Sequence, residues 1–177
     1  MQGDVADAAL VARARAGSDR AFAQLVDRHQ QSVRNFLRKI VPYADEADDI
    51  AQETFLAAWS SLRKLKSDEK FLTWTMSIAW RKAKGQARSA VRARNRDGAW
   101  RATQPEQTGN GAEMTLALNQ ALDQLSVEQR AAVSLCLGVG WSHGDAAEAL
   151  NMPLGTVKSH VSRGRARLVE ILGVNDE

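Results

Sequence analysis

Five carboxylates fall within residues 45–53, at Asp45, Glu46, Asp48, Asp49 and Glu53. A metal-dependent enzyme could use such a run together with a histidine. No histidine falls within it, and the chain has neither a phosphate-cradling glycine loop nor a nucleophile motif. The stretch D-E-A-D-D-I-A-Q-E-T-F-L-A-A-W instead has helical spacing. At about 100° per residue, Ala51, Phe55, Ala58, Trp59 and Leu62 share one side, an ordinary core stripe. Asp49, Gln52, Glu53, Leu56 and Ser60 share the opposite side. A leucine set among carboxylates on an outer face reads as a docking surface for a basic partner. The plain alternative is a solvated face with one stray apolar residue.

The rest of the composition narrows the choice. The chain has 177 residues, enough for one domain or two small ones, with 44% hydrophobic and 25% charged residues. The net charge is only +3, but bases concentrate at 81–101 and again at 158–167. Segregated basic segments point to a polyanion. Cys136 is the only cysteine, which excludes an internal disulfide and a cysteine-based zinc site. It sits in the apolar run 133–137 and reads as a small buried hydrophobe. The acidic N-terminus lacks an apolar signal core, and no apolar run is long enough to cross a membrane. A reduced, cytoplasmic protein is expected, with no catalytic, cofactor-binding or metal-binding residue assigned.

The elements around these residues read as all-α. Strand signals are nearly absent and helical spacing recurs throughout. A short helix over 8–16 ends at Gly17, and Ser18 can cap the next. That second helix buries Phe22, Leu25, Val26, His29, Val33, Phe36, Leu37 and Ile40, and Pro42 stops it. His29 reads as a packed or partly exposed side chain rather than a ligand. The acidic helix runs to about Leu62, and a charged loop covers 64–70. A fourth helix spans 71–88, with Phe71, Trp74 and Ile78 on one side and Leu72, Met76, Ala79 and Ala83 on the adjoining side. Its remaining arc carries Thr73, Ser77, Trp80, Arg81, Lys84 and Arg88. A tryptophan among bases suits nucleic acid, because cations neutralise phosphates and an aromatic face stacks on an unpaired base. The alternative is that Trp80 packs against a neighbouring helix.

Residues 92–111 change character, from arginines at 92, 94, 96 and 101 to T-Q-P-E-Q-T-G-N-G. This reads as a mobile linker. It divides the chain into two small helical domains, 1–92 and 113–177, joined by residues 93–112. In the second domain a helix over 114–125 is apolar at Met114, Leu118, Leu122 and Leu125. Ser126 and Gln129 can form a capping box for a helix reaching Val139, closed by Gly140. A short helix at 143–150, a turn at Asn151-Met152-Pro153 and a final helix over 155–172 make a helix-turn-helix pattern. Asn151 tolerates the left-handed conformation such a turn needs. Val157, Val161, Gly164, Leu168, Ile171 and Leu172 form the buried stripe of the final helix, with Gly164 permitting close approach. Lys158, Ser159, Ser162, Arg163 and Ala166 face outward, flanked by Thr156 and Arg167. Small hydroxyls among bases fit a helix lying in a major groove.

The segments D-D-I-A-Q-E-T-F-L-A-A-W, F-L-T-W-T-M-S-I-A and P-L-G-T-V-K-S-H-V-S-R-G-R-A-R-L resemble, in one order, the bacterial RNA polymerase sigma factors of the sigma-70 family. The opening L-V-A-R-A-R-A-G-S is similar too. The resemblance is to the small extracytoplasmic-function (ECF) group, which has only the second and fourth sigma domains. It implies that Asp49, Gln52, Glu53 and Leu56 bind the clamp helices of the polymerase beta-prime subunit. It implies minus-10 contacts from the loop 64–70, with Lys64, Lys66 and Lys70, and from Trp74, Ser77, Trp80, Arg81, Lys84 and Arg88. It implies minus-35 contacts from Thr156, Lys158, Ser159, His160, Ser162, Arg163 and Arg167. Core polymerase, including its beta flap, promoter DNA and an anti-sigma factor are the implied partners, with no cofactor. The chain departs from the family pattern at Trp80, where asparagine is common, at K-A-K-G-Q-A-R, and at W-S-H-G-D-A-A before the turn. A stand-alone helix-turn-helix regulator would keep the final helix but leave the Asp49, Gln52 and Glu53 face without a purpose.

Overall fold

The computed structural model describes residues 2–97 and 112–173, with side chains at 7–86 and 117–173. All regular structure among the described residues is helical: α1 (Gln2–Arg15), α2 (Asp19–Ile40), α3 (Ala44–Ser61), α4 (Phe71–Asp97), α5 (Ala112–Asp123), α6 (Val127–Val133), α7 (His143–Leu150) and α8 (Leu154–Leu172). Two short 3₁₀ turns, Leu62–Lys64 and Asp68–Lys70, carry the chain from α3 to α4. The backbone of α4 continues to Asp97, into the stretch expected as linker. The rest of that linker, 98–111, lies outside the described residues.

Local chemistry sets most helix ends. Gly17 adopts φ +98 and ends α1, and Ser18 accepts from the Ala21 N–H at 3.2 Å to start α2. Ser126 and Gln129 make both bonds of a capping box at the start of α6. From Ser134 to Gly138 the helix loosens into a π turn before Gly140 reverses the chain at φ +80. Ser142 caps α7 through the Asp145 N–H. Asn151 takes up the left-handed conformation, φ 49 and ψ 50, between α7 and α8. Caps and turns of this kind need no long-range contact, so each of these ends is readable from its neighbours.

Packing joins the elements into three apolar clusters. One gathers α1, α2, the 62–65 turn and one side of α4 around Leu10, Val11, Leu25, Leu62, Leu65 and Phe71. Another closes α5 onto α6 and α8 through Leu122, Leu125, Val133 and Leu168. The largest takes in both halves of the chain. Phe36, Ile50, Met76, Ala79, Trp80 and Ala83 from the first half share it with Ala131, Leu135, Ala146, Leu150 and Val157 from the second. The two expected domains therefore pack on each other. Leu118, expected in a core stripe, is 37% exposed at the edge of α5.

Two glycines on helices have opposite surroundings. A Cβ on Gly164 would stand 2.6 Å from Cγ2 of the buried Val133, whereas one on Gly85 would meet nothing within 4 Å. Alanine favours a helix over glycine by about 1 kcal/mol, and overpacking costs about 1–3 kcal/mol. Gly164→Ala is therefore expected to lower stability by about 1 kcal/mol net, and Gly85→Ala to raise it by up to about 1 kcal/mol. Chemical denaturation of the full chain checks both signs.

Candidate docking groove and nucleic-acid interface

Helix α3 has the two faces that its spacing predicts. Ala47, Ile50, Ala51, Thr54, Phe55 and Ala58 are buried, and Leu56 is 63% exposed on the opposite side with Asp49, Gln52 and Glu53. The first turn holds Asp45 and Glu46, where carboxylates oppose the helix dipole. Arg38 of α2 pairs with Asp48 at 2.9 Å and ties the two helices. Glu53 receives Lys82 of α4 at 2.9 Å.

Between α2 and α3 runs a groove of about 560 Å³. Phe22, Val26, Phe55, Leu56 and Trp59 make its apolar floor and wall, and Asp48, Asp49 and Gln52 stand along it. Trp59 was expected wholly in the core. It is 37% exposed, leaning on the Phe22 ring at 4.7 Å between centroids. Phe22, Val26 and Trp59 are the site residues that sequence reasoning missed. Their signal was present: Phe22 and Val26 are spaced i, i+4 at the edge of the α2 stripe. An acidic rim over an apolar floor can take a helix with a basic and apolar face.

The basic arc of α4 differs from expectation at its centre. Trp80, expected to lie outward for base stacking, is 2% exposed and belongs to the apolar cluster shared by both halves. The packing reading of Trp80 holds, and the stacking reading is overturned for this arrangement. The reason is tertiary: the second half lies against α4 and covers the ring. Lys84 stands 5.2 Å from its centroid and reaches Glu128 of α6 at 3.1 Å. Lys70 pairs with Glu148 of α7. Thus two cations expected to meet phosphates meet carboxylates of the other half. Trp74 and Ser77 are half-buried, with the Ser77 hydroxyl donating to the Trp74 carbonyl at 2.7 Å. Arg81, Lys64 and Lys66 are exposed. The Arg88 side chain lies outside the described residues.

One member of each pair is shifted by it. The bond from Glu148 raises the Lys70 pKa, although burial opposes it. Burial pushes the Glu128 carboxyl up, but its own backbone N–H and Lys84 outweigh that and leave it below 4.5. A depressed carboxylate stabilises the fold above its ordinary pKa, and that contribution disappears as pH falls through the folded value. The Lys84–Glu128 contact therefore stands at neutral pH and weakens in acid as Glu128 is protonated.

On α8, Thr156, Lys158, Ser162 and Arg163 are exposed on one face, while Val157, Val161, Gly164 and Leu168 are buried on the other. Ser159 is half-buried. His160 is half-buried too, with Nδ1 shielded and without a hydrogen bond. Arg167 is exposed but bonded to Glu170 at 2.7 Å and Gln124 at 3.2 Å. Four outward side chains in the first three turns of a helix that follows a tight turn give the geometry of a major-groove reader. Among the described residues no group of three or more histidine, cysteine or acidic side chains could hold a metal ion, and no helix is long and apolar enough to cross a membrane.

A helix-turn-helix behind a helical unit with an acid-rimmed apolar groove fits the class of DNA-binding transcription proteins. The chain belongs to the sigma-70 family, in its ECF group, and is an RNA polymerase sigma factor that directs transcription initiation at specific promoters. Residues 25–93 match the family model of sigma-70 region 2, and 115–168 that of sigma-70 region 4. RNA polymerase sigma factor NccH of Alcaligenes xylosoxydans xylosoxydans is 34% identical over 94% of both chains. The ECF sigma-E factor of Escherichia coli is 30% identical over 93% of both. Among solved structures, Bartonella quintana RpoE in complex with the anti-sigma factor NepR has a TM-score of 0.75 at 30% identity, covering 87% of this chain and 98% of that one. CnrH in complex with the cytosolic domain of CnrY has the same TM-score and identity, covering 95% and 97%.

Exposed ion pairs contribute about 0–1 kcal/mol each, so the shared apolar cluster dominates the packing of the two halves. Glu128→Lys with Glu148→Lys removes two such pairs and is accordingly expected to increase the separated population by up to about thirtyfold. Small-angle scattering at low and high salt should show a larger radius of gyration for the double variant, with the difference shrinking as salt rises.

Proposed function

We propose that the α2–α3 groove receives the clamp helices of the polymerase beta-prime subunit. Leu56 is the observation that carries this reading, because a leucine 63% exposed beside an apolar groove is costly to leave in water without a partner. Leu56, Trp59 and Phe22 would supply burial, and Asp49, Gln52 and Glu53 would set register on a basic partner. The first half, residues 1–92, then takes the minus-10 element through Lys64, Lys66, Lys70, Ser77, Arg81 and Lys84, with Trp74 at the margin. Arg88 extends the same basic helix. Trp80 is left out of this set while the halves are packed. The second half, 113–177, reads the minus-35 duplex through Thr156, Lys158, Ser159, Ser162 and Arg163, and meets the beta flap.

The minus-10 reader cannot act in full while Lys70 and Lys84 sit on Glu148 and Glu128. The halves part on polymerase, and phosphates replace the two carboxylates. Counterion release then adds to the gain. Opening of the minus-10 strand costs a few kcal/mol per unpaired base, which stacking and phosphate contacts offset. The chain works by holding its partners, not by catalysis, and it does so in the cytoplasm beside the polymerase. One relative is captured with the anti-sigma factor NepR and another with the cytosolic domain of CnrY, which supports control of this chain by an anti-sigma factor as well.

Leu56→Glu and Asp49→Lys change only the outer face of α3, so the fold is expected to persist. Each should weaken binding to core polymerase by at least about tenfold and reduce run-off transcription in proportion. If instead the chain binds promoter DNA without polymerase and both variants do so unchanged, it is a stand-alone regulator and the proposal fails.

A further inference from the structure

The turn between α3 and α4 is gripped from an unexpected direction. Arg15 is the last residue of α1, and its side chain is 28% exposed. Its Nε donates to the Leu62 carbonyl at 3.3 Å. One terminal nitrogen donates to the Leu65 carbonyl, and the other pairs with Asp68 at 2.5 Å. One planar guanidinium thus joins three points of a segment made of two 3₁₀ turns with no helical ladder between them. Leu62 and Leu65 are 3% and 5% exposed, anchored beside Leu10, Val11 and Ala14. With its leucines buried and its carbonyls held, the turn has one side left to present, and that side carries Arg63, Lys64 and Lys66, all exposed.

The grip differs from the Lys70–Glu148 pair in one respect. Lys70 is held by the second half and is released when the halves part. Arg15 follows Ala14, which shares an apolar cluster with Leu62 and Leu65, and its three partners all belong to the first half, so its bonds do not depend on the second half. Lysine could not replace it, because an ammonium is a single point charge and cannot bridge two carbonyls and a carboxylate in one plane.

We propose that Arg15 is a positioning residue for minus-10 selection, fixing the shape of the 62–70 turn so that its outward side meets the promoter strand in one register. The inference rests on the reading that this turn contacts the minus-10 element. Its test uses the full chain with core polymerase on two promoter panels, one with single-base changes at minus-10 and one at minus-35. The spread in open-complex yield across the minus-10 panel is expected to shrink by about three- to tenfold in Arg15→Ala and in Arg15→Lys. The minus-35 spread and core affinity should stay as in the parent. Should Arg15→Ala fail to fold in a thermal melt, Arg15→Lys, which keeps the charge and the aliphatic stem, decides the matter. A uniform loss across both panels, or full discrimination by Arg15→Lys, overturns the proposal. A chain with residues 64–67 replaced by glycine and serine separates the two levels. If it narrows the minus-10 spread while the Arg15 variants do not, only the role of Arg15 falls. If it leaves the spread intact, the turn is not a reader and both ideas fall.

Discussion

One apolar cluster crosses the boundary between the two halves of this sigma factor, and the other features answer to it. Helix α4 is its hinge. Met76, Ala79, Trp80 and Ala83 enter the shared cluster, while Phe71 and Ile78 enter the cluster against α1 and α2. A helix apolar on two sides needs two neighbours. The first half supplies one, and α7 supplies the other. Ion pairs at the margin follow from that contact rather than cause it, since exposed pairs contribute little. Their place is informative all the same, because each couples a cation of the first half to a carboxylate of the second.

This arrangement separates two kinds of surface. The groove between α2 and α3 lies away from the second half, with Leu56 and Trp59 open to solvent. The basic side of α4 lies towards it, with Trp80 covered and Lys84 paired. A partner for the groove can therefore dock on the packed chain, whereas DNA at α4 competes with the second half.

Much of the fold was legible in the chain. Gly17, Ser18, the Ser126–Gln129 box, Asn151 and the close approach at Gly164 are each set by residues a turn or two away, or by the one residue type that fits. The outward side of α3 was legible for the same reason: a regular helix fixes which residues share a side, and acids do not enter a core unpaired. The outer side of α8, with Thr156, Lys158, Ser162 and Arg163, followed from the opposing Val157–Leu168 stripe.

Periodicity assigns a residue to a side, but not that side to a neighbour. The sequence alone determined the helices, the ends that carry a cap or a left-handed turn, the acidic outer side of α3 and the order of the parts. Tertiary structure decided that Trp80 is covered, that Trp59 borders a groove, and that Lys70 meets Glu148 across 78 residues and Arg15 meets Asp68 across 53. Contacts at such separation depend on how whole helices stack. Burial of their apolar stripes selects that stacking, and a single polar side chain then takes whichever partner the stacking brings within reach.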